Sequence, residues 1–206
     1  WQDHSDKGIC TRESVRGYTG YYSERGDLMV YGVQDSHVVL GNVISELKAK
    51  VMYRLLEDKE IAKLLYYDTP DALKQEITSK QMQELFLSHP GNEKQRIFLK
   101  PYPNQVTYLK DCEIRIHVTR IAVQATPYVY QPTFEVDIFC HNDLTDLDDG
   151  LSQRQDVLMQ KVNDLLTGYH LDVVGNMKLL SIEDWSMANS AYLGYSLFFS
   201  TGTINM

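Results

Sequence analysis

The spacing of hydrophobic residues divides the chain into helical segments with a period near 3.6 and strand segments with a period of two. The first helical stripe extends over 39–55, and Asp35 and Ser36 precede it with side-chain oxygens suited to an N-cap. The pattern continues less regularly to residue 65, with a break near residues 57 and 58. We therefore predict a long amphipathic helix followed by a shorter one. The long stripe comprises Val39, Leu40, Val43, Ile44, Leu47, Val51 and Leu55.

A Thr-Pro-Asp run at 69–71 predicts a new helix start, because proline fits the first helical turn and the threonine caps it. Apolar residues spaced over 72–86 predict one or two short helices. The run His-Pro-Gly-Asn at 89–92 then ends them with turn chemistry.

From residue 96 the period changes to two. A short apolar strand is expected at 97–99, and two longer alternating segments follow at 111–121 and 134–140. These two segments predict an antiparallel hairpin with one buried face and one polar face. We expect His117 and His141 to face each other across it, beside Arg115 and Asp137, in a surface cluster rather than a catalytic pair.

A second strong helix is expected at about 152–167. Ser152 and Gln155 match a capping box, and Gly168 stands where a helix often ends in a left-handed residue. Alternating residues over 191–199 predict a final, mostly buried strand.

The element order predicts an α+β fold with an antiparallel or mixed sheet and a long hairpin, packed by two main helices. We assign it to one domain at 37–206, with a short helical insertion at about 69–88. Residues 1–36 differ, since they are rich in glycine and tyrosine and lack sustained helical periodicity. They are expected to form an extended N-terminal arm, with a short hairpin at 24–27, that becomes ordered only against a partner.

Charge and composition exclude some classes of function. The 206 residues contain 20 Lys and Arg against 28 Asp and Glu, which gives a net charge of −8. This balance argues against a protein whose main role is to neutralise nucleic-acid phosphates. No apolar run approaches the roughly 20 residues that span a bilayer, so no membrane partner is predicted.

Candidate chemistry is sparse. Cys10, Cys112 and Cys140 form no CxxC pair and are expected to be reduced thiols of an intracellular protein. The acidic loop at 142–150 places four carboxylates close together, but it fails the EF-hand register and is expected to be a solvated loop.

No nucleotide-binding, hydrolase or zinc motif is present. We predict no catalytic residue, no metal, no cofactor and no enzymatic activity. A metal-dependent enzyme using His117, His141 and the carboxylates of 143–149 is a lesser hypothesis.

Tyrosines are more informative, because the chain contains 14 of them and several lie in segments predicted to be loops or arm. Tyrosine gives a large contact area at low entropic cost, which is typical of interfaces. The predicted subunit or partner interface comprises Tyr18, Tyr21, Tyr22, Tyr128 and Tyr130. An alternative is a small-ligand or carbohydrate-binding α+β module that uses the exposed tyrosines.

The succession of elements resembles the tail-terminator proteins of long-tailed bacteriophages and the related head–tail joining proteins. The resemblance rests on the helices at 39–55 and 157–166, the strands EIRIHV at 113–118 and FEVDI at 134–138, and the closing strand at 192–199. It implies a structural, non-enzymatic subunit of a hexameric ring in the phage neck. Such a ring ends the tail tube, joins it to the head and leaves a channel for DNA.

The partners that the resemblance implies are copies of the chain itself, the tail tube protein and the connector or adaptor proteins on the head side. DNA would be contacted only in passage, and the protein would be located in the virion tail or neck after assembly in the host cytoplasm. The net charge of −8 suits a channel lining that does not retain phosphates.

Overall fold

The computed structural model describes residues 12–15, 18–22, 28–30, 36–88, 91–100, 110–123, 129–172, 174–184 and 191–205. The chain divides into two compact units, residues 1–43 and residues 44–206. None of the helices in these described ranges is long and apolar enough to cross a membrane.

The first unit contains a three-stranded antiparallel sheet of β1 (Arg12–Val15), β2 (Tyr18–Tyr22) and β3 (Leu28–Val30) in the order β1-β2-β3. Strand β2 therefore pairs on both sides. The extended N-terminal arm at 1–36 stays a prediction. The predicted hairpin at 24–27 lies outside the described residues, although Tyr22 is paired with Leu28 on either side of it. This unit also includes the start of the first helix.

Four α-helices occur in the described chain, and their bounds follow the predicted stripes closely. They are α1 (Ser36–Leu56), α2 (Lys59–Tyr66), α3 (Ser79–Glu84) and α4 (Arg154–Leu166), with 3-10 turns at Ala72–Lys74 and Asn142–Leu144. The predicted break after α1 is confirmed, because the Asp58 side chain accepts the backbone N–H groups of Glu60 and Ile61 and so starts a new helix.

Two capping predictions are wrong. The turn after Pro70 begins at Ala72 with Asp71 as its N-cap and without a side-chain cap hydrogen bond, so Thr69 does not cap it.

The hydroxyl of Ser152 donates to the carboxylate of Asp149, and helix α4 begins two residues later with Gln153 as a cap that makes no side-chain hydrogen bond. The predicted end of this helix is confirmed, since Gly168 has a φ of +82°.

The second unit is built on a mixed sheet, which confirms the predicted α+β class. Its strand order is β4-β5-β6-β10-β9, with β11 added beside the start of β6; β4 is parallel to β5 and the other pairs are antiparallel. The strands are β4 (Ile97–Phe98), β5 (Cys112–Val123), β6 (Val129–His141), β9 (Lys178–Asp184), β10 (Tyr192–Ser200) and β11 (Ile204–Asn205), and a separate pair is formed by β7 (His170–Leu171) and β8 (Gly175–Asn176).

The two faces of this sheet differ in chemistry. Helices α2 and α4 pack on one face, where apolar side chains of β5, β6 and β10 are fully buried. The core on this face includes Ile114, Ile116, Phe134, Val136, Ile138, Leu197 and Phe199 from the strands, and Ile61, Leu64, Leu65, Leu158, Val162 and Leu166 from the helices. The opposite face, which we call the polar face, presents the alternate residues of the same strands.

The expectation of three reduced thiols is wrong for two of them. Cys112 and Cys140 are directly opposite each other on β5 and β6, with Cα atoms 4.1 Å apart, and they form a disulfide bond. So short a Cα separation is typical of the narrow, non-hydrogen-bonded positions of an antiparallel pair. The spacing of the two residues in sequence gave no sign of this pairing, because only the hairpin register places them opposite each other.

Candidate functional site

The polar face carries a compact group of ionisable side chains, which we call the polar cluster: His117, Glu135, Asp137 and Ser196. His117 on β5 is directly opposite Glu135 on β6, and Asp137 is directly opposite Ser196 on β10. Because side chains alternate along a strand, all four project from the same face of three adjacent strands.

The side chains of the polar cluster are in direct contact. His117 Nε2 lies 2.9 Å from Asp137 Oδ2 and 3.7 Å from Glu135 Oε2. The Ser196 hydroxyl donates to Asp137 Oδ1 at 2.5 Å. The side chains of His117, Glu135 and Asp137 are only 13%, 17% and 8% exposed. The cluster is therefore ordered by its own contacts and largely shielded from water.

Burial, and then the adjacent negative charge of Asp137, raise the pKa of Glu135 from its ordinary value of 4.5 to about 7. The nearby His117 and a hydrogen bond with Ser196 act in the opposite direction. Glu135 therefore changes its charge close to neutral pH, which is unusual for a carboxyl group.

Arg115 does not supply the missing positive charge to this cluster. Its guanidinium donates to Glu113 Oε1 through Nε and Nη2, at 2.9 and 2.6 Å. Its charged carbon lies 5.0 Å from the centre of the Phe98 ring and 5.8 Å from that of Phe139. Its remaining nitrogen, Nη1, is buried and makes no hydrogen bond within the described part of the chain, although Arg115 is directly opposite Asp137 on β6.

The polar cluster is not arranged as a nucleophilic triad. In such a triad the serine hydroxyl gives its proton to the histidine, which a carboxylate orients. Here the Ser196 hydroxyl donates to Asp137 and not to His117. The arrangement instead offers one imidazole nitrogen and carboxylate oxygens, which can share a proton or bind a cation.

The predicted pairing of His117 with His141 is wrong. His117 is opposite Glu135, and His141 lies six residues further along β6, or about 20 Å away along the strand. The ring of His141 packs edge-on against Tyr192, with ring centres 5.3 Å apart. Its Nδ1 accepts the backbone N–H of Asp143. The two histidines therefore belong to different surroundings.

The acidic loop does not gather its carboxylates around one point. Asp143 pairs with Lys110, and Asp148 pairs with Lys74. Asp149 accepts the backbone N–H groups of Leu151 and Ser152 at 3.0 and 2.8 Å. The hydrogen bond from the Ser152 hydroxyl, followed by these backbone bonds, lowers the pKa of Asp149 to about 2. The loop is held by protein partners and leads into α4.

The five predicted interface tyrosines are distributed over both units. Tyr18, Tyr21 and Tyr22 lie on β2. Tyr130 lies on β6, half-buried, between Val123 of β5 and Ile204 of β11. Tyr128 lies outside the described residues. Their role as an interface remains a prediction.

Sequence reasoning missed Glu135 and Ser196. The alternation over 134–140 already placed Glu135 on the same side as Asp137, so that pair of carboxylates was recoverable from the pattern. Ser196 had no such signal, because its strand was expected to be buried and its contact with Asp137 spans 59 positions of the chain.

A second surface is formed by β9, the edge strand of the sheet next to β10. In the part of the chain that the structure describes, β9 pairs with β10 on one side and with no strand on the other. It exposes two large apolar residues, Leu180 at 59% and Ile182 at 39%. Unpaired strand edges with apolar side chains are ready templates for pairing with another chain.

A comparison with protein families gave a match over most of the chain. The sequence model of the family YomW matches residues 58–201, which comprise helices α2 to α4 and strands β4 to β10. No curated protein matches the chain. The polar cluster and strand β9 both lie inside the matched range.

Proposed function

Since the chain belongs to the YomW family, whose name is that of a phage-type protein, we propose that it is a structural virion protein of the phage neck. In this proposal copies of the chain form a hexameric ring that terminates the tail tube and joins it to the head. The ring leaves a channel through which DNA passes. The protein acts by assembly with itself, the tail tube protein and the head-side connector or adaptor, and it converts no substrate.

The observation that supports assembly is the exposed edge strand β9. Among the described residues no strand covers the outer edge of β9, and a monomer that exposes Leu180 and Ile182 at such an edge risks aggregation unless a partner covers it. Pairing of β9 with β9 of another copy would be two-fold and would stop at a dimer. Contact of β9 with a different surface of the next copy is head-to-tail, and such contacts form a ring when the rotation between successive copies closes.

One further feature is compatible with a ring. The net charge of −8 is suitable for a lumen in which DNA must move without being retained.

Native mass spectrometry with negative-stain imaging tests the proposal. We expect the wild-type chain to form a closed six-fold species as concentration rises. Ile182→Asp and Leu180→Asp should abolish that species while leaving a folded monomer. Leu151→Asp is the matched control, because Leu151 is the most exposed large apolar residue of the described chain and lies in the loop before α4.

A wild-type chain that stays monomeric at every concentration and salt would contradict the ring. Equal loss of the six-fold species in the Leu151 control would contradict the role of β9. The small-ligand alternative gains no support from the described residues, because Tyr130 is half-buried between two strands and Tyr128 is not among them.

A further inference from the structure

We propose that His117, Glu135 and Asp137 form a binding site for one divalent transition-metal ion of the Zn²⁺ class on the polar face of the sheet. The site lies within a single chain and does not depend on ring formation. Among the residues that the structure describes, these three are the group of metal-ligating side chains close enough to hold one ion.

The donor atoms suit this class of metal. The site combines one imidazole nitrogen with carboxylate oxygens, and such mixed sets favour Zn²⁺ and related ions over Ca²⁺, which takes six to eight oxygens. Three protein ligands also leave a coordination position for water. A purely acidic group would not discriminate in this way.

The distances between the donor atoms also fit a Zn²⁺ ion. Ligands about 2.0–2.1 Å from a tetrahedral Zn²⁺ lie about 3.3 Å from one another. The separations from His117 Nε2 to Asp137 Oδ2 and Glu135 Oε2 are 2.9 and 3.7 Å, on either side of that value. All three donor atoms lie within 4.8 Å of one another. Small side-chain rotations would therefore place them around one ion.

The scaffold holds these ligands in place. His117 and Glu135 are cross-strand partners, and Asp137 is two residues along β6 on the same face. Ser196 Oγ, on a 5% exposed residue, donates to the Asp137 oxygen that does not face His117. A hydrogen bond of this kind orients a ligating carboxylate from behind and raises metal affinity.

The charges of the cluster also favour a cation. Two carboxyl groups are held side by side with little exposure to water, and the guanidinium of Arg115 is bound to Glu113. A bound dication would offset the repulsion between these two carboxylates. The residual exposure of His117 and Glu135 provides an entry route.

The test uses the full chain, stripped of metal with a chelator and titrated with Zn²⁺ by isothermal calorimetry. We expect Zn²⁺ to bind at His117, Glu135 and Asp137 with one equivalent per chain. His117→Gln and Asp137→Asn should each weaken this binding by about 100-fold or more, since each removes one of three ligands. Ser196→Ala, which removes only the supporting hydrogen bond, should weaken it by about 10-fold.

His141→Gln is the matched control, because it removes an imidazole from the same hairpin without touching the cluster, and its affinity should equal that of the wild type. Co²⁺ substitution adds a spectroscopic readout, since the visible absorption of a low-coordinate His-carboxylate site should disappear in His117→Gln. Circular dichroism shows whether each variant folds. If one does not, Glu135→Gln, which keeps the shape of the side chain but removes its charge, is titrated in its place.

Three outcomes would overturn the proposal: no binding of Zn²⁺ by the wild-type chain at millimolar metal, unchanged stoichiometric binding in His117→Gln and Asp137→Asn, or equal loss in His141→Gln. None of them bears on the ring, which is measured separately by its mass.

Discussion

The guanidinium of Arg154 donates a hydrogen bond to the carbonyl oxygen of Leu64 at 2.6 Å, across 90 positions of the sequence. It also donates to the carbonyl oxygens of Tyr67, Thr69 and Leu144, at 2.6, 2.7 and 2.8 Å. Leu64 lies in the last turn of α2, where the carbonyl groups lack partners within the helix. Arg154, whose residue is only 1% exposed, provides the missing donor. One side chain thus joins the start of α4 to the end of α2.

We predict that Arg154→Met lowers the free energy of unfolding by about 3–5 kcal/mol, because it leaves several buried carbonyl oxygens without donors. Arg154→Lys should recover only part of this loss, since an ammonium lacks the planar fork that reaches four acceptors. Urea denaturation measures both. Arg120→Met, at an exposed position of β5, is the control and should change stability by less than about 0.5 kcal/mol. An equally small effect of Arg154→Met would contradict the prediction, because it would show that water can take the place of the guanidinium at the carbonyl oxygens without loss of stability.

The polar cluster should make stability depend on pH. The pKa of Glu135 is raised from 4.5 to about 7, so between these values the folded chain binds a proton that the unfolded chain has lost. The contribution of Glu135 to the free energy of unfolding is therefore largest below about pH 4.5, and it decreases as pH rises toward 7. After solvent screening, we expect the loss to be about 1–2 kcal/mol.

Glu135→Gln tests this dependence, because the amide mimics the protonated acid. At pH 8 the variant should be more stable than the wild type by about 1–2 kcal/mol, and its stability should no longer fall between pH 4.5 and 7 through this group. Asp137, His117, Ser196 and Arg115 are unchanged in the comparison. Glu183→Gln is the matched control, since Glu183 on β9 is directly opposite Ser196 on β10 but is exposed. Parallel pH curves for Glu135→Gln and the wild type would contradict the prediction.

The disulfide predicts the number of free thiols. Of the three cysteines, Cys10 alone should react with a thiol reagent when the protein is unfolded without reductant. Removal of the bond by Cys112→Ala with Cys140→Ala should lower stability by about 2–4 kcal/mol, because the unfolded chain loses a cross-link spanning 28 positions. Cys10→Ala is the control. Three reactive thiols in untreated protein would restore the original expectation of reduced cysteines.

Gly194 allows β10 to approach β6 closely. A Cβ atom at this position would overlap the backbone carbonyl of Ile138 and approach Phe139 on the partner strand. We therefore expect Gly194→Ala to lower the unfolding free energy by more than about 3 kcal/mol, because the clash is with backbone and cannot be relieved by a side-chain rotation. Thermal denaturation checks this. Gly41→Ala, where a Cβ meets nothing within 4 Å in helix α1, should be neutral or stabilising. Tolerance of alanine at both positions would show that the strands separate readily.

Some of the polar cluster could be predicted from sequence and some could not. Alternation over 112–118 and 134–140 places His117, Glu135 and Asp137 on one side of a hairpin without any structure. The choice of His141 as the partner of His117 failed because it required a register, and register depends on the turn between the strands. A pairing of Cys112 with Cys140 fixes that register, and with it the pairing of His117 with Glu135.

The sequence by itself determined the helices, the strands and the α+β class, because hydrophobic periodicity is a local property that each segment carries alone. Only the tertiary structure decided which side chains meet. It placed Ser196 behind Asp137, Arg154 beneath the end of α2 and β9 at the edge of the sheet. These contacts join residues 59 and 90 positions apart, and no local pattern encodes the partner of a residue at that distance.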